Sequence, residues 1–431
     1  MIQHTSNVEK FLKEHKMRAD DLNIQALVDE FTSDMIKGLN GKASSLRMIP
    51  TYIEADNQFL TDVPVVAIDA GGTNFRTAVV KFNSNGKLEI SDLMNAGMPG
   101  LDGEISKNEF FRIMAGYVKL NAEKSERIGF CFSYPTEILP NKDGILLQFC
   151  KEVQAPGVVG QLIGKNLLEA LGMAEKQIVL LNDTVATLLA GKSASFGKNY
   201  DSFIGYILGT GTNACYIEKN SNILKEHDLD QSKNQIINIE SGNYGKAPQT
   251  DLDVIFDQTT VNPGEYKFEK MISGGYLGGL CLVTLKAAAK EGLFSEETAV
   301  SILALNDLSS EEANRFLSNS ISGSGLLNER IKIKTDNETA RMIIESLISR
   351  AAKLVAGNLA AVILKTEKGK LPDRPILITV EGSIYYKLHN MQPQIAKYLT
   401  EYLTGDRKRY IEFMEVKQSS LVGAALAALI N

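Results

Sequence analysis

The chain has 431 residues, 44% apolar and 23% charged, with a formal net charge of −6. That length supports a large core in two lobes, and the composition is that of an ordinary soluble globular protein. The acidic balance excludes a basic nucleic-acid footprint, and four scattered cysteines (Cys131, Cys150, Cys215 and Cys281) exclude a CxxC zinc or disulfide framework and fit a reducing cytoplasm.

Residues 1–20 are polar, without the apolar stretch of a signal peptide, and the apolar run 421–430 is too short to span a bilayer, so neither nucleic acid nor membrane is expected as a partner. The four histidines, His4, His15, His227 and His389, form no HExxH spacing and stand beside no nucleophile. Serine hydrolases and zinc enzymes are poor fits.

In chain order, residues 1–60 read as helical, with apolar positions at Phe11, Leu22, Ile24, Leu27, Val28, Phe31 and Ile36. The pattern then changes. Strands are predicted at 63–69 and 74–82, and Asn83-Ser84-Asn85-Gly86 turns the chain toward Leu88 and Ile90. This meander differs from a dinucleotide-binding unit, in which a helix follows the first strand. Further strands are predicted at 127–133, 177–181, 202–208, 214–218 and 376–380, and helices at 184–191, 263–271 and 339–365. Two strand pairs enclose glycine turns, Gly71-Gly72-Thr73 and Gly209-Thr210-Gly211-Thr212. The duplication points to two related α/β lobes facing across a cleft.

Each motif has a bland and a sharp reading. Gly71 and Gly72 let backbone approach a phosphate, with Thr73 and Asn74 as donors, Arg76 as charge and Asp69 as a carboxylate able to hold Mg²⁺ through water. The bland reading is a hairpin turn. Thr210 and Gly211 repeat the logic on the second lobe. Asn182-Asp183 ends an apolar strand where a helix begins; Asp183 is either an N-cap or a general base accepting a hydroxyl proton, with Asn182 bonding a second hydroxyl. Asn262 and Pro263 read as the cap and first residue of a helix carrying Glu265 and Glu269 on one face. Glu240 and Glu269 are then either solvated acids or acceptors for sugar hydroxyls.

Taken together, the sequence resembles the eukaryotic-type hexokinase and glucokinase family from about residue 69 to the end. The resemblance is carried by the Gly71-Gly72-Thr73 segment, Gly129-Phe130-Cys131-Phe132-Ser133-Tyr134-Pro135, Asn182-Asp183-Thr184-Val185 and Gly209-Thr210-Gly211-Thr212-Asn213-Ala214-Cys215-Tyr216. Downstream it continues in Asn262-Pro263-Gly264, Glu269-Lys270-Met271-Ile272-Ser273-Gly274 and Val380-Glu381-Gly382-Ser383-Ile384-Tyr385.

The resemblance implies a two-lobed actin-like ATPase (ribonuclease H-like) fold. The small lobe spans 61–183 and the large lobe 184–418; residues 1–60 form a helical segment on the large lobe, and a helix at 419–431 returns to the small lobe. It implies an ATP-dependent hexose 6-phosphotransferase of glycolysis using ATP and Mg²⁺, with Asp183 as base and Lys151 beside it in a catalytic role. Sugar contacts are implied for Ser133, Lys151, Asn182, Asp183, Asn213, Glu240 and Glu269. Nucleotide contacts are implied for Asp69, Gly71, Gly72, Thr73, Asn74, Arg76, Thr210, Gly211, Ser318, Gly382 and Ser383, with Asp69 reaching the metal through water.

Four positions depart from the family pattern: Cys150 for a threonine, Ser241 for a tryptophan, Glu381 for an aspartate, and Ser419-Ser420-Leu421 for Gly-Ser-Gly. The rival readings are a non-catalytic sugar sensor, an actin-like assembly protein without sugar, and a kinase preferring fructose or an N-acetylhexosamine. A sensor would lose the base or the phosphate turns; here Asp183, Asp69 and Thr210 are all present.

Overall fold

The computed structural model describes residues 2–54, 58–149, 153–318 and 323–430. The strands in chain order are β1 (Ile49–Pro50), β2 (Pro64–Gly71), β3 (Asn74–Phe82), β4 (Leu88–Gly97), β5 (Arg127–Phe132), β6 (Thr136–Ile138), β7 (Gly144–Leu146), β8 (Gln177–Leu181), β9 (Ser202–Leu208), β10 (Thr212–Lys219), β11 (Asn234–Asn238), β12 (Ile376–Glu381) and β13 (Ile411–Met414).

Two sheets share one topology. The first runs β4-β3-β2-β5-β8; the second runs β11-β10-β9-β12-β13, with β1 added outside β11. In each, a three-strand antiparallel meander is followed by two strands parallel to its first member. The duplication expected from the two glycine turns is therefore a duplication of the whole sheet. The central strands are buried along both faces, Val65 to Ala70 without interruption, as a sheet covered on both sides requires.

Two helices fill the space between the sheets. The Ser419–Leu429 helix lies on the first sheet, where a Cβ added to Gly129 would stand 1.8 Å from the Ala424 carbonyl oxygen. The Asp183–Ala194 helix lies on the second sheet, where a Cβ on Gly205 would stand 2.3 Å from the Thr184 carbonyl. The two helices press on each other at Gly423, 1.9 Å by the same measure from the Ala186 carbonyl. Only glycine permits such approaches.

On the far side of the second sheet runs the 32-residue helix Lys334–Lys365. Among the described residues it is the one helix long and apolar enough to cross a membrane, and 83% of its apolar window is buried within the protein.

Two local expectations change. Residues 1–60 are not helical throughout: helices Ile2–Glu14 and Ile24–Leu39 are followed by β1, which pairs Ile49 with Asn238. Pro50 lacks the N–H that a helix interior needs. The helix expected from Pro263 begins at Lys267 instead. Lys270 Nζ donates to the Asn262 carbonyl (2.7 Å) and the Gly264 N–H donates to Asp257 Oδ2 (2.8 Å), so residues 262–264 are held as a loop and Tyr266, not Asn262, takes the cap position. Glu265 is thus outside the helix that carries Glu269.

Candidate active site

In both sheets the candidate residues stand at the carboxyl ends of parallel strands. Gly71 ends β2, Ser133 follows β5, Asn182 and Asp183 follow β8, Gly209 follows β9 and Gly382 follows β12. Open α/β sheets bind their ligands at these ends.

Asp183 is the first residue of its helix; the cap is Asn182, whose Oδ1 accepts the Thr184 N–H at 2.8 Å. Asp183 Oδ1 accepts the same N–H at 2.7 Å and the Thr184 hydroxyl at 3.2 Å. Those bonds favour the charged form, yet burial outweighs them, and the charges of Glu381 and Glu240 add to it. The Asp183 carboxyl is pushed up to about 6. A carboxylate with that proton affinity is matched to general-base work near neutrality.

Beside it lies a network of side-chain amides and a carboxylate. Asn213 Nδ2 donates to Asn238 Oδ1 at 2.8 Å and to Glu240 Oε1 at 3.3 Å, and Asn238 Nδ2 donates to the same Glu240 oxygen at 2.8 Å. Glu240 sits in left-handed backbone (φ +59°), which turns its carboxylate out of the line of β11. Burial raises its pKa, opposed by the Asn238 bond and the charge of Arg47. Glu269 Oε2 accepts the Thr212 N–H at 2.9 Å. Asn182 and Glu240 line one pocket with Phe132 and Tyr134, so the ends of the two sheets meet there.

The two glycine turns differ in build. Gly72 and Thr73 are the loop of a two-residue hairpin pairing Gly71 with Asn74, with Gly72 at φ +61°. The Tyr134 hydroxyl fixes the Gly72 carbonyl at 2.6 Å, while Thr73 and Asn74 are exposed. In the second turn the Gly209 and Thr210 carbonyls accept the N–H groups of Gly274 and Gly275 at 2.8 and 2.9 Å, and Thr210 is exposed. Gly382, at φ +124°, lies against this turn; a Cβ there would stand 2.2 Å from the Leu208 carbonyl.

Asp69 is buried and ion-paired with Arg76, which donates Nε to Oδ2 at 2.9 Å. Burial still raises its pKa, the arginine opposing. Ser133 donates its N–H to Ala70 and is half-buried beside Gly71. Ser383 is exposed at the start of a short helix. Ser318 ends the Ser310–Ser318 helix, exposed, its hydroxyl on the Asn314 carbonyl; Asn314 in turn reaches the Lys387 carbonyl at the end of the Ser383 helix. Lys151 and Cys150 lie outside the described residues.

Sequence reasoning missed Asn238, Tyr134 and Arg47. Tyr134 stands inside a quoted motif and Asn238 two residues before Glu240, but the contacts that matter, Tyr134 with Gly72, Asn238 with Asn213 and Arg47 with Glu240, come from segments far apart in the chain.

Two family models, both described as Hexokinase, match residues 7–193 and 203–430. Hexokinase-1 of Schizosaccharomyces pombe is 30% identical over 434 residues, covering 95% of this chain and 87% of that protein. Hexokinase-2 of Solanum tuberosum is 30% identical over 452 residues, covering 97% and 90%. Among solved structures, a hexokinase from Schistosoma mansoni in complex with glucose shares the fold at a TM-score of 0.79 and 23% identity, covering 99% of both chains. The two-lobed actin-like ATPase fold is therefore the one this chain adopts.

Proposed function

We propose, for a chain that belongs to the hexokinase family and so transfers the γ-phosphoryl group of ATP to a hexose, that glucose is the principal acceptor and its 6-hydroxyl the attacking group. The observation that carries the transfer step is the placement of Asp183, and the choice of glucose is supported by the glucose bound to the Schistosoma mansoni hexokinase that shares the fold. Asp183 stands, with a raised proton affinity, beside the Asn182, Asn213 and Glu240 side chains and at the same strand ends as the two glycine turns.

In this mechanism Asn182, Asn213, Glu240 and Glu269 bond the sugar hydroxyls and hold the acceptor in line with the γ-phosphorus. The 6-oxygen attacks phosphorus as the bond to the β-bridging oxygen breaks. Asp183 receives the hydroxyl proton, and ADP leaves with the electron pair. Gly71, Gly72, Thr73 and Asn74 from one lobe, and Thr210 and Gly211 from the other, hold the phosphates. Gly382 and Ser383, with Ser318 beyond them, take the adenosine end. Arg76 orients Asp69 and carries positive charge to the phosphate turn.

Arg76 bonds Oδ2 of buried Asp69, and Oδ1 faces the first glycine turn, 3.4 Å from where a Gly71 Cβ would stand, which fits a cation held at that turn. Asp69 would hold Mg²⁺ through water, and the bound ion would neutralise charge on the transferring group. Lys151 is assigned to the same site from the family pattern.

A coupled ATP assay over glucose, fructose, mannose and N-acetylglucosamine, with Asp183→Asn in parallel, tests the reading. Fastest turnover on glucose is expected. Preference for another hexose, or no loss in the variant, overturns it.

A further inference from the structure

The scheme above leaves Glu381 without a task. It ends β12, where Gly382 allows the strand to press on the Leu208 carbonyl just before the second glycine turn. Its carboxylate accepts the Thr187 hydroxyl at 3.3 Å and also the Ser419 hydroxyl. Thr187 lies four residues after Asp183, on the same face of the same helix. Ser419 is the first residue of the Ser419–Leu429 helix. One carboxylate therefore ties a strand of the second sheet to both helices that separate the sheets. The interlock of those helices at Gly423 leaves little freedom for either to shift alone.

We propose that Glu381 is a positioning residue for proton transfer at Asp183, clasping the Asp183 helix to the C-terminal helix at the mouth of the cleft. The inference rests on Asp183 being the base. Four acidic or thiol groups face Asp183 from the surrounding elements. They are Glu381 from β12, Glu240 beyond β11, Cys131 on β5 and Cys215 on β10. Of these, Glu381 exerts the largest charge effect on Asp183. Held by two hydroxyls, its charge stays at a fixed place relative to the base. The clasp thus does two things: it sets where the first turn of the helix stands, and it keeps a negative charge close enough to make Asp183 hold a proton more tightly.

The two functions separate by substitution. Glu381→Gln keeps an acceptor for Thr187 and Ser419 and deletes the charge, whereas Glu381→Ala deletes both. kcat/KM for glucose is measured between about pH 5 and 8.5 at saturating ATP, with thermal melts of each variant. In Glu381→Gln the acid limb moves to lower pH, so that the rate at low pH relative to the plateau rises roughly threefold, which corresponds to about half a pH unit. In Glu381→Ala the same shift is joined by a roughly tenfold fall in plateau kcat, with little change in sugar KM, because Asn213, Glu240 and Glu269 stand on other elements.

An acid limb that keeps its wild-type midpoint in Glu381→Gln overturns the proposal, as does a uniform loss of rate at every pH with a lowered melting temperature. Should Glu381→Ala not fold, Glu381→Gln still decides. Asp183→Asn run alongside separates the failures. Near wild-type turnover there removes the base assignment and this proposal with it, while a crippled Asp183→Asn with an unmoved Glu381→Gln limb removes this proposal alone.

Discussion

The backbone N–H of Thr212 donates to Oε2 of Glu269 across 2.9 Å. Thr212 closes the second glycine turn, a candidate phosphate contact, and Glu269 is a candidate sugar ligand, so one bond spans the two halves of the candidate site. The approach is close on both sides: a Cβ on Gly211 would stand 2.7 Å from that oxygen, and one on Gly242 would stand 3.0 Å from it. The carboxylate is thus shaped by two glycines as well as held by a bond.

Glu269→Ala should weaken glucose binding by about 1–3 kcal/mol, the cost of leaving buried hydroxyl partners unmet. ATP binding should weaken much less, by an amount reflecting only the loosened Thr212 N–H. Isothermal titration with each ligand separately checks this; equal losses would contradict the sugar role.

Asp183→Asn should lower kcat by about 10²–10⁴ while the protein still binds glucose. Asparagine can still accept from Thr184, so the start of the helix keeps its bonds. Steady-state rates with sugar titrations in parallel are the measurement.

The same carboxyl sets the pH dependence. As a base, Asp183 works only when ionised, so kcat/KM should fall as pH drops through about 6. Stability runs the other way. The folded protein holds this proton more tightly than the unfolded chain, whose aspartate titrates near 3.8, so between 3.8 and about 6 the folded state gains relative stability as pH falls. Above about 6 the buried charge is a constant cost. The melting advantage of Asp183→Asn over wild type should therefore be larger at neutral pH than at the acid end of that window, and an advantage independent of pH would count against the raised proton affinity.

Gly423→Ala should destabilise the fold by about 1–3 kcal/mol in urea denaturation, because the added methyl meets a backbone carbonyl that cannot rotate away. Activity should fall with it, since the displaced helix begins with Asp183. Unchanged stability would mean the two helices are not interlocked as described.

Glucose should compact the molecule in solution scattering, and ATP alone should do so much less. Ser133 and Asn182 follow strands of the first sheet, while Asn213 is on β10, Glu240 follows β11 and Glu269 is on a helix bonded to Thr212 of β10, so a sugar touching both sets favours the closed state. ATP hydrolysis without sugar should correspondingly be slow. Brisk hydrolysis with no compaction would contradict this.

Much of the frame was legible in the residues. The strands at 74–82, 177–181 and 202–208 were bounded correctly because β-rich runs there end against turn residues or a helix cap. The two glycine turns were found for the same reason. The candidate site is legible where one short motif fixes position, as with Asn182-Asp183 between an apolar strand and a helix. It is not legible where chemistry arises from register. Asn238 reads as an ordinary strand residue until β10 and β11 pair and bring it, with its near neighbour Glu240, against Asn213. Tyr134 reads as core until its hydroxyl meets Gly72. The helix expected from Pro263 starts at Lys267 instead, because buried Lys270 and Asp257 outweigh a good local start signal.

The pairing of Ile49 with Asn238 has a consequence for how the protein is made. The segment that borders β11 leaves the ribosome early, yet its partners lie in β11 and, for the Ile24–Leu39 helix, in the Lys334–Lys365 helix. At roughly 5–20 residues per second, about 300 residues separate the two in synthesis, a delay on the order of 15–60 s. For most of that interval Phe31, fully buried in the finished protein, lacks its aromatic partners Tyr244 and Phe268, and the core it enters is closed only by the Lys334–Lys365 helix. The first sheet, whose strands are made in one stretch between residues 64 and 181, has all of its strands long before then. Nascent chains should thus hold every strand of the first sheet while two things still wait: the amino-terminal segment for its partners, and one face of that sheet for the Ser419–Leu429 helix.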